Sequence, residues 1–285
     1  MNILLTGSGG FVGQNLNNFL SRFYNVLAPR SFELDMTNTS DVINYFNNNN
    51  NIDFVIHCGS IGGVRGKEDD VNTLNANLKM IDNLLIAKKK ETKVITFGSG
   101  AMYNKARHLK KVKENEIGKS IPPDLYGKSK MLIAQKIQNR LDVLSLNIFA
   151  CYGYNEKNSR FPSYAINQNL KKENIIINQN VVFDYLFIED LNKIVKHFIQ
   201  FAWDKQNIVN ITPTKSISLL EIAQLVNKIS NYKSNIIIKN KVLNFEYTGD
   251  NSQLLKYIPD FEFTSYEVGI AKLFNFIKNE FIVVK

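Results

Sequence analysis

Three glycines at a spacing of three, Gly7, Gly10 and Gly13, constrain this chain more than any other feature. They follow a short apolar run, Ile3, Leu4 and Leu5, that reads as a buried strand. They precede Phe11, Val12, Leu16, Phe19 and Leu20, which recur near helical spacing. A strand, a tight turn and a helix bring unpaired backbone N–H groups and the positive end of a helix dipole to one point. That is a seat for a pyrophosphate. Glycine is required there because a Cβ blocks close approach of phosphate or helix. Gly9 is an extra glycine in the same turn. The strand before and the helix after are the context that gives such a pattern meaning as a dinucleotide site.

The chain has 285 residues, enough for one large domain with a smaller lobe. No apolar run is long enough to span a bilayer. A strand begins at residue 3 and leaves no room for a signal peptide, so a cytoplasmic protein is expected. Cys58 and Cys151 sit in apolar runs and read as buried thiols. The formal charge of +9 raises the question of nucleic acid. The lysines are scattered, however, and the short clusters at Lys88, Lys89 and Lys90 and at Lys110 and Lys111 read as solvated faces. No nucleic-acid module accompanies them. A basic surface serves small anionic ligands equally well. The asparagine run 47–51 reads as a loop.

Taken in order, strands and helices alternate as far as Gly153, which predicts an α/β fold of the Rossmann type, a doubly wound parallel sheet. A second strand over residues 25–29 ends at Arg30. The residue at this point of a dinucleotide fold meets the adenosine ribose. Arg30, with no acid until Glu33, favours a 2′-phosphate, hence NADP(H) over NAD(H). A third strand over 54–58 carries His57, read as a packed core histidine, and runs into small residues that let backbone lie against a cofactor. A helix over 71–89 carries Asn77. The fourth strand, 93–97, ends at Ser99, and residues 104–124 read as a long loop. Beyond Gly153 the pattern loosens. A strand is expected over 181–188 and a helix from Asp190 through Trp203. Ser218 and Glu221 form a capping-box signature. The expected division is a dinucleotide-binding domain at 1–153 and a smaller C-terminal α/β substrate lobe at 154–285, with residues 184–212 returning to the main sheet.

Tyr126 and Lys130 are four residues apart, on one face of a predicted helix. A phenol titrates near 10, and a nearby ammonium brings it toward the working range. Such a pair is common by chance. With the glycine turn and Ser99 it becomes specific.

On these motifs the chain resembles the extended short-chain dehydrogenase/reductases, the NAD-dependent epimerase/dehydratase group that acts on nucleotide-sugars. Phe183, Asp184, Tyr185 and Asp190 add to the likeness. Within the group it is similar to 4-keto reductases of the GDP-fucose synthase type, through residues 33–37, 61–63 and Ser99 with Tyr103. The resemblance implies catalysis by Ser99, Tyr126 and Lys130. It implies cofactor contacts from Thr6, Gly7, Gly9, Gly10, Phe11, Val12, Gly13, Arg30, Asp35, Met36, Cys58, Gly59 and Asn77, with Tyr126 and Lys130. It implies substrate contacts from Gly63, Ser99, Gly100, Ala101, Tyr126, Arg160 and Asp184, and segment 175–185 facing the nucleotide-sugar. No metal is implied.

The departures narrow the chemistry. Dehydratases of the group keep an acidic pair after the serine, where this chain has Gly100, Ala101 and Met102. Reductases that also epimerise keep a cysteine and a histidine where Ala101 and Arg160 align, and arginine does not shuttle protons at neutral pH. The expectation is therefore NADPH-dependent C4 keto reduction of a nucleotide-linked sugar for surface polysaccharide, without epimerisation. An NAD-dependent 4-epimerase and a non-catalytic NADP-binding regulator remain alternatives. A homodimer is implied, with no nucleic-acid or membrane partner.

Overall fold

The computed structural model describes residues 1–63, 66–203 and 206–283. The first half runs β1 (Asn2–Thr6), α1 (Phe11–Leu20), β2 (Asn25–Leu27), α2 (Thr39–Asn48), β3 (Phe54–His57), α3 (Val71–Ala87) and β4 (Lys93–Ser99). Then come β5 (Leu109–Val112), α4 (Leu125–Ile137), β6 (Val143–Ile148), β7 (Ala150–Tyr152) and α5 (Phe161–Leu170). The remainder is β8 (Ile175–Gln179), β9 (Val182–Phe183), β10 (Tyr185–Phe187), α6 (Ile188–Gln200), β11 (Ile208–Asn210), β12 (Ile217–Ser218) and α7 (Leu219–Ile229). β13 (Ile236–Asn240), β14 (Tyr247–Gly249), α8 (Ser252–Tyr257) and α9 (Tyr266–Val283) complete it.

Six parallel strands form the main sheet in the order β2, β1, β3, β4, β6, β11. The chain winds outward from β1 to β2, then restarts at β3 on the other side. That reversal opens a crevice at the carboxyl ends of β1 and β3, where such sheets take ligands. Register places Thr6 beside His57, and Ser99 beside Ile148, along the same edge.

Strand side chains alternate between two apolar layers. Leu4, Val55, Val94 and Val143 face α2, α3 and α4 through Val42, Met80, Leu84 and Ile137. Ile3, Leu5, Ile56, Ile95 and Leu144 face the other way, into a core shared by α1, α6, α7 and α9. That second core joins Ile3 to Ile277, so the lobe beyond Gly153 folds onto the main sheet. Capping follows the sequence: Asp70 and Asp124 accept from the N–H groups of Thr73 and Gly127, both at 2.8 Å, and Ser218 with Glu221 makes the capping box. Among the described residues no helix is long and apolar enough to cross a membrane.

Four local expectations are corrected. Residues 104–124 are not all loop, because β5 lies within them and pairs in parallel with β14. The strand expected over 181–188 breaks at Asp184 into β9 and β10, which join different sheets. The following helix starts at Ile188, and Asp190 inside it accepts from Thr264 N–H and Oγ1 at 2.8 Å each. Lys88 is not solvated: it is buried against Asp142 at 2.9 Å.

Candidate active site

The turn after β1 is built as its glycines require. Gly7 has φ +72, and a Cβ there would fall 2.6 Å from Gly59 N, where the ends of β1 and β3 meet. A Cβ on Gly13 would fall 2.2 Å from the Gly7 carbonyl oxygen. Gly10 is different, with Gly7 O 3.5 Å from its Cβ position as the nearest contact, so the space it leaves opens outward. Gly10 caps α1 with no side-chain hydrogen bond, and the first turn of α1 holds no acid. The helix end is thus free to meet an anion. Arg30 lies over this turn: a Cβ on Gly9 would fall 2.7 Å from its Nη1.

Past the turn, the ends of β3, β4 and β6 and the start of α4 enclose a cleft of about 300 Å³. Ser99 ends β4, and Tyr126 and Lys130 project from the first turns of α4. Lys130 is buried, donates to the Phe97 carbonyl at 2.9 Å, and stands 5.6 Å from the centroid of the Tyr126 ring. Gly63, at φ +67, lies against that ring; a Cβ there would come within 3.0 Å of it. Lys105, Lys130 and Arg160 line the cleft, and its described lining contains no carboxylate.

Residues 3–212 match the model of the NAD dependent epimerase/dehydratase family. The chain belongs to that family. A stretch of 110 residues is 37% identical to GDP-L-colitose synthase of Yersinia pseudotuberculosis, taking in 37% of this chain and 35% of that protein. An uncharacterized protein of Methanocaldococcus jannaschii is 24% identical over 278 residues, 82% of each chain. Among solved structures, GDP-L-fucose synthetase from Naegleria fowleri bound to NADP superposes with a TM-score of 0.81 at 14% identity, over 99% of this chain and 94% of that one. UDP-glucose 4-epimerase from Thermotoga maritima with UDP-glucose gives 0.81 at 17%, over 99% and 100%. These superpositions share the fold.

The electrostatics of this family member's cleft follow from burial. Burial holds the Tyr126 phenol above its ordinary value of 10; contacts with Ser99 and Ser60 and the charge of Arg160 oppose it. Desolvation outweighs them, so the phenol is raised where the sequence leads one to expect it lowered, and it stays protonated. Burial also brings Lys130 down from 10.5 to about 8. His57 is pushed down to about 3 by burial, then by the Lys130 charge, and its Nδ1 is 2.7 Å from Thr6 Oγ1. It is a neutral packing residue. Cys58 and Cys151 are free and line the cleft, their thiols pushed up by burial.

Several residues assigned by resemblance stand elsewhere. Asp184 does not face the cleft: it is fully buried and accepts from Ser216 Oγ at 2.6 Å, Gly249 N–H at 2.9 Å and Lys111 Nζ at 3.2 Å. None of the described cleft lining comes from residues 175–185. Asn77 is buried and spends its amide on Ile61, donating to its carbonyl and accepting from its N–H at 2.9 Å each, and on Ser129 Oγ at 3.2 Å. It shapes the loop after β3 from behind. Asp35 is exposed, with Oδ1 taken by Thr37, while Met36 is buried. Gly100 is buried beside Ser99, and Ala101 lines the cleft. Arg160 reaches the cleft with its guanidinium 5.7 Å from the Phe11 ring centroid.

Sequence reasoning missed Lys105, Phe149 and Tyr247, all of which line the cleft with Ser60 from the small-residue run after β3. Ser60 and Phe149 follow the ends of parallel strands, a position that points to a site in any such sheet. Nothing local marks Lys105 or Tyr247.

Proposed function

We propose that this chain is an NADPH-dependent reductase of the C4 keto group of a nucleotide-linked deoxysugar, acting without epimerisation in the supply of a surface-polysaccharide sugar. One observation carries the reading. The described cleft holds a neutral phenol beside a serine, three cationic side chains and no carboxylate. Reduction needs one proton donor and an oxyanion seat, which Tyr126 and Ser99 provide. Dehydration in this group uses an acidic pair, and no carboxylate lines the described cleft. The cations suit an anionic diphosphate.

The glycine turn and the uncapped α1 would hold the pyrophosphate of the dinucleotide, and Arg30 its 2′-phosphate. The dinucleotide supplies hydride in such a reaction. Tyr126 gives its proton to the carbonyl oxygen as it becomes an alkoxide, and Ser99 Oγ–H steadies that oxygen. Lys130 holds positive charge behind the phenol. GDP-L-colitose synthase, as a relative over part of the chain, and structures named as an NADP-bound GDP-L-fucose synthetase and an NADP-bound GDP-mannoheptose C4 reductase support the choice of reaction class and cofactor. We further propose a cytoplasmic homodimer, joined through α3 and α4; Val71 and Ile86 are exposed apolar residues on α3.

The test is a screen of 4-keto-6-deoxy nucleotide-sugars with NADPH and with NADH, followed by product stereochemistry. The expected result is NADPH oxidation, with Arg30→Ala raising the Kd for NADPH on the order of tenfold and leaving that for NADH unchanged. Co-purification of tight NAD with no turnover of any keto sugar would establish the 4-epimerase reading instead.

A further inference from the structure

Tyr247 is the one residue of the described cleft lining that comes from beyond residue 160. It arrives on β14, a strand clamped between β5 and β9: Tyr247 is in register with Leu109 on one side and Phe183 on the other. Its ring packs against Phe149 at 5.2 Å and Phe183 at 5.7 Å between centroids. The hydroxyl points at the residue next to Ser99, since a Cβ on Gly100 would fall 2.6 Å from it. Ser99, Tyr126 and Tyr247 line the same cleft, and Ser99 is among the groups that act to lower both phenols.

A serine hydroxyl has one proton and two lone pairs. The Ala101 N–H donates to Ser99 Oγ at 3.2 Å, which takes the first lone pair. We propose that Tyr247 is a positioning residue whose hydroxyl donates to the second lone pair, so that the single Ser99 proton is directed toward Tyr126 and the substrate oxygen. Without that donor the Ser99 hydroxyl is free to rotate and to spend its proton on solvent. Burial keeps the Tyr247 phenol protonated and therefore a donor. Gly100 is the companion requirement, because any side chain there displaces the phenol. The C-terminal lobe thus completes an oxyanion seat built on the main sheet.

The kinetic arm of the test rests on the reductase reading, and a second arm does not. Tyr247→Phe keeps the packing and removes one hydroxyl, with an unchanged melting temperature as the control. With GDP-4-keto-6-deoxymannose and NADPH, kcat should fall roughly five- to tenfold, the KM for NADPH should hold, and the loss should vanish in a Ser99→Ala background. The reaction-independent arm is NMR of Cζ-labelled tyrosine, with Tyr126 assigned from Tyr126→Phe. Its titration midpoint should rise in Tyr247→Phe but not when Ser99→Ala is already present. An undiminished kcat, an equal loss with and without Ser99, or a Tyr126 midpoint indifferent to Tyr247 overturns the proposal. If wild type reduces no keto sugar, the reductase reading fails and the NMR arm still decides the coupling.

Discussion

The ammonium of Lys130 donates to the backbone carbonyl of Phe97 at 2.9 Å, which fixes α4 to the strand that ends in Ser99. That bond is made in a place with little water, and burial brings Lys130 from 10.5 down to about 8. Between about pH 8 and 10.5 the unfolded chain therefore binds one more proton than the folded one. Stability carried by this group rises with pH across the window, by up to about 3 kcal/mol. Cys58 and Cys151, whose thiols are pushed up, act in the opposite sense at high pH. Comparing Lys130→Met with wild type cancels them. The variant should be relatively more stable at pH 7 and lose that advantage by pH 10.5; parallel melting curves against pH would refute the argument.

The three turn glycines serve different purposes, and alanine separates them. At Gly13 a methyl group meets Gly7 O at 2.2 Å and Ser8 Cα at 3.0 Å, so Gly13→Ala should destabilise the free protein by about 1–3 kcal/mol. At Gly10 the nearest atom is 3.5 Å away and φ is −83, so Gly10→Ala should leave stability within about 0.5 kcal/mol. The same methyl would stand in the path of a phosphate and weaken NADPH binding by about tenfold or more. Thermal melts and calorimetric titration read the two effects. Equal destabilisation by both, or wild-type affinity in Gly10→Ala, contradicts the assignment.

Asp184 ties the break between β9 and β10 to β14 and to Ser216. Removing it leaves Gly249 N–H and Ser216 without their acceptor in a fully buried position. Asp184→Ala should cost about 3 kcal/mol in denaturant unfolding, most of it from those two bonds. Lys111 is 40% exposed, so Lys111→Met should cost less than about 1 kcal/mol. Tyr247 is two residues from Gly249, so Asp184→Ala should also lower turnover. A larger loss from Lys111→Met than from Asp184→Ala would place the energy in the ion pair instead.

The glycine turn, the alternation of strands and helices, and the four-residue step from Tyr126 to Lys130 were legible in the residues. Each depends on local geometry: a turn that excludes Cβ, a hydrophobic period, a helical repeat. Ser99, at the end of a parallel strand, follows from the same logic. The capping box at Ser218 and Glu221 is likewise local, and it is present.

Tertiary structure decided the rest. Lys88 looks solvated in sequence because nothing near it shows Asp142 approaching from 54 positions away. Residues 109–112 look like loop because their partner is a three-residue strand at 247–249, too short to carry a period of its own. Asp184 sits in a motif that points to substrate, yet its burial is set by Gly249 and Ser216. Hydrogen bonds between distant segments leave no periodic trace in either segment, and a titration value depends on the solvent the fold removes. The sequence therefore determined where the glycine turn lies and which side chains have the chemistry to move a proton. Only the folded chain brought Tyr247 to Ser99 and kept Tyr126 a neutral acid, because both depend on which surfaces are buried together.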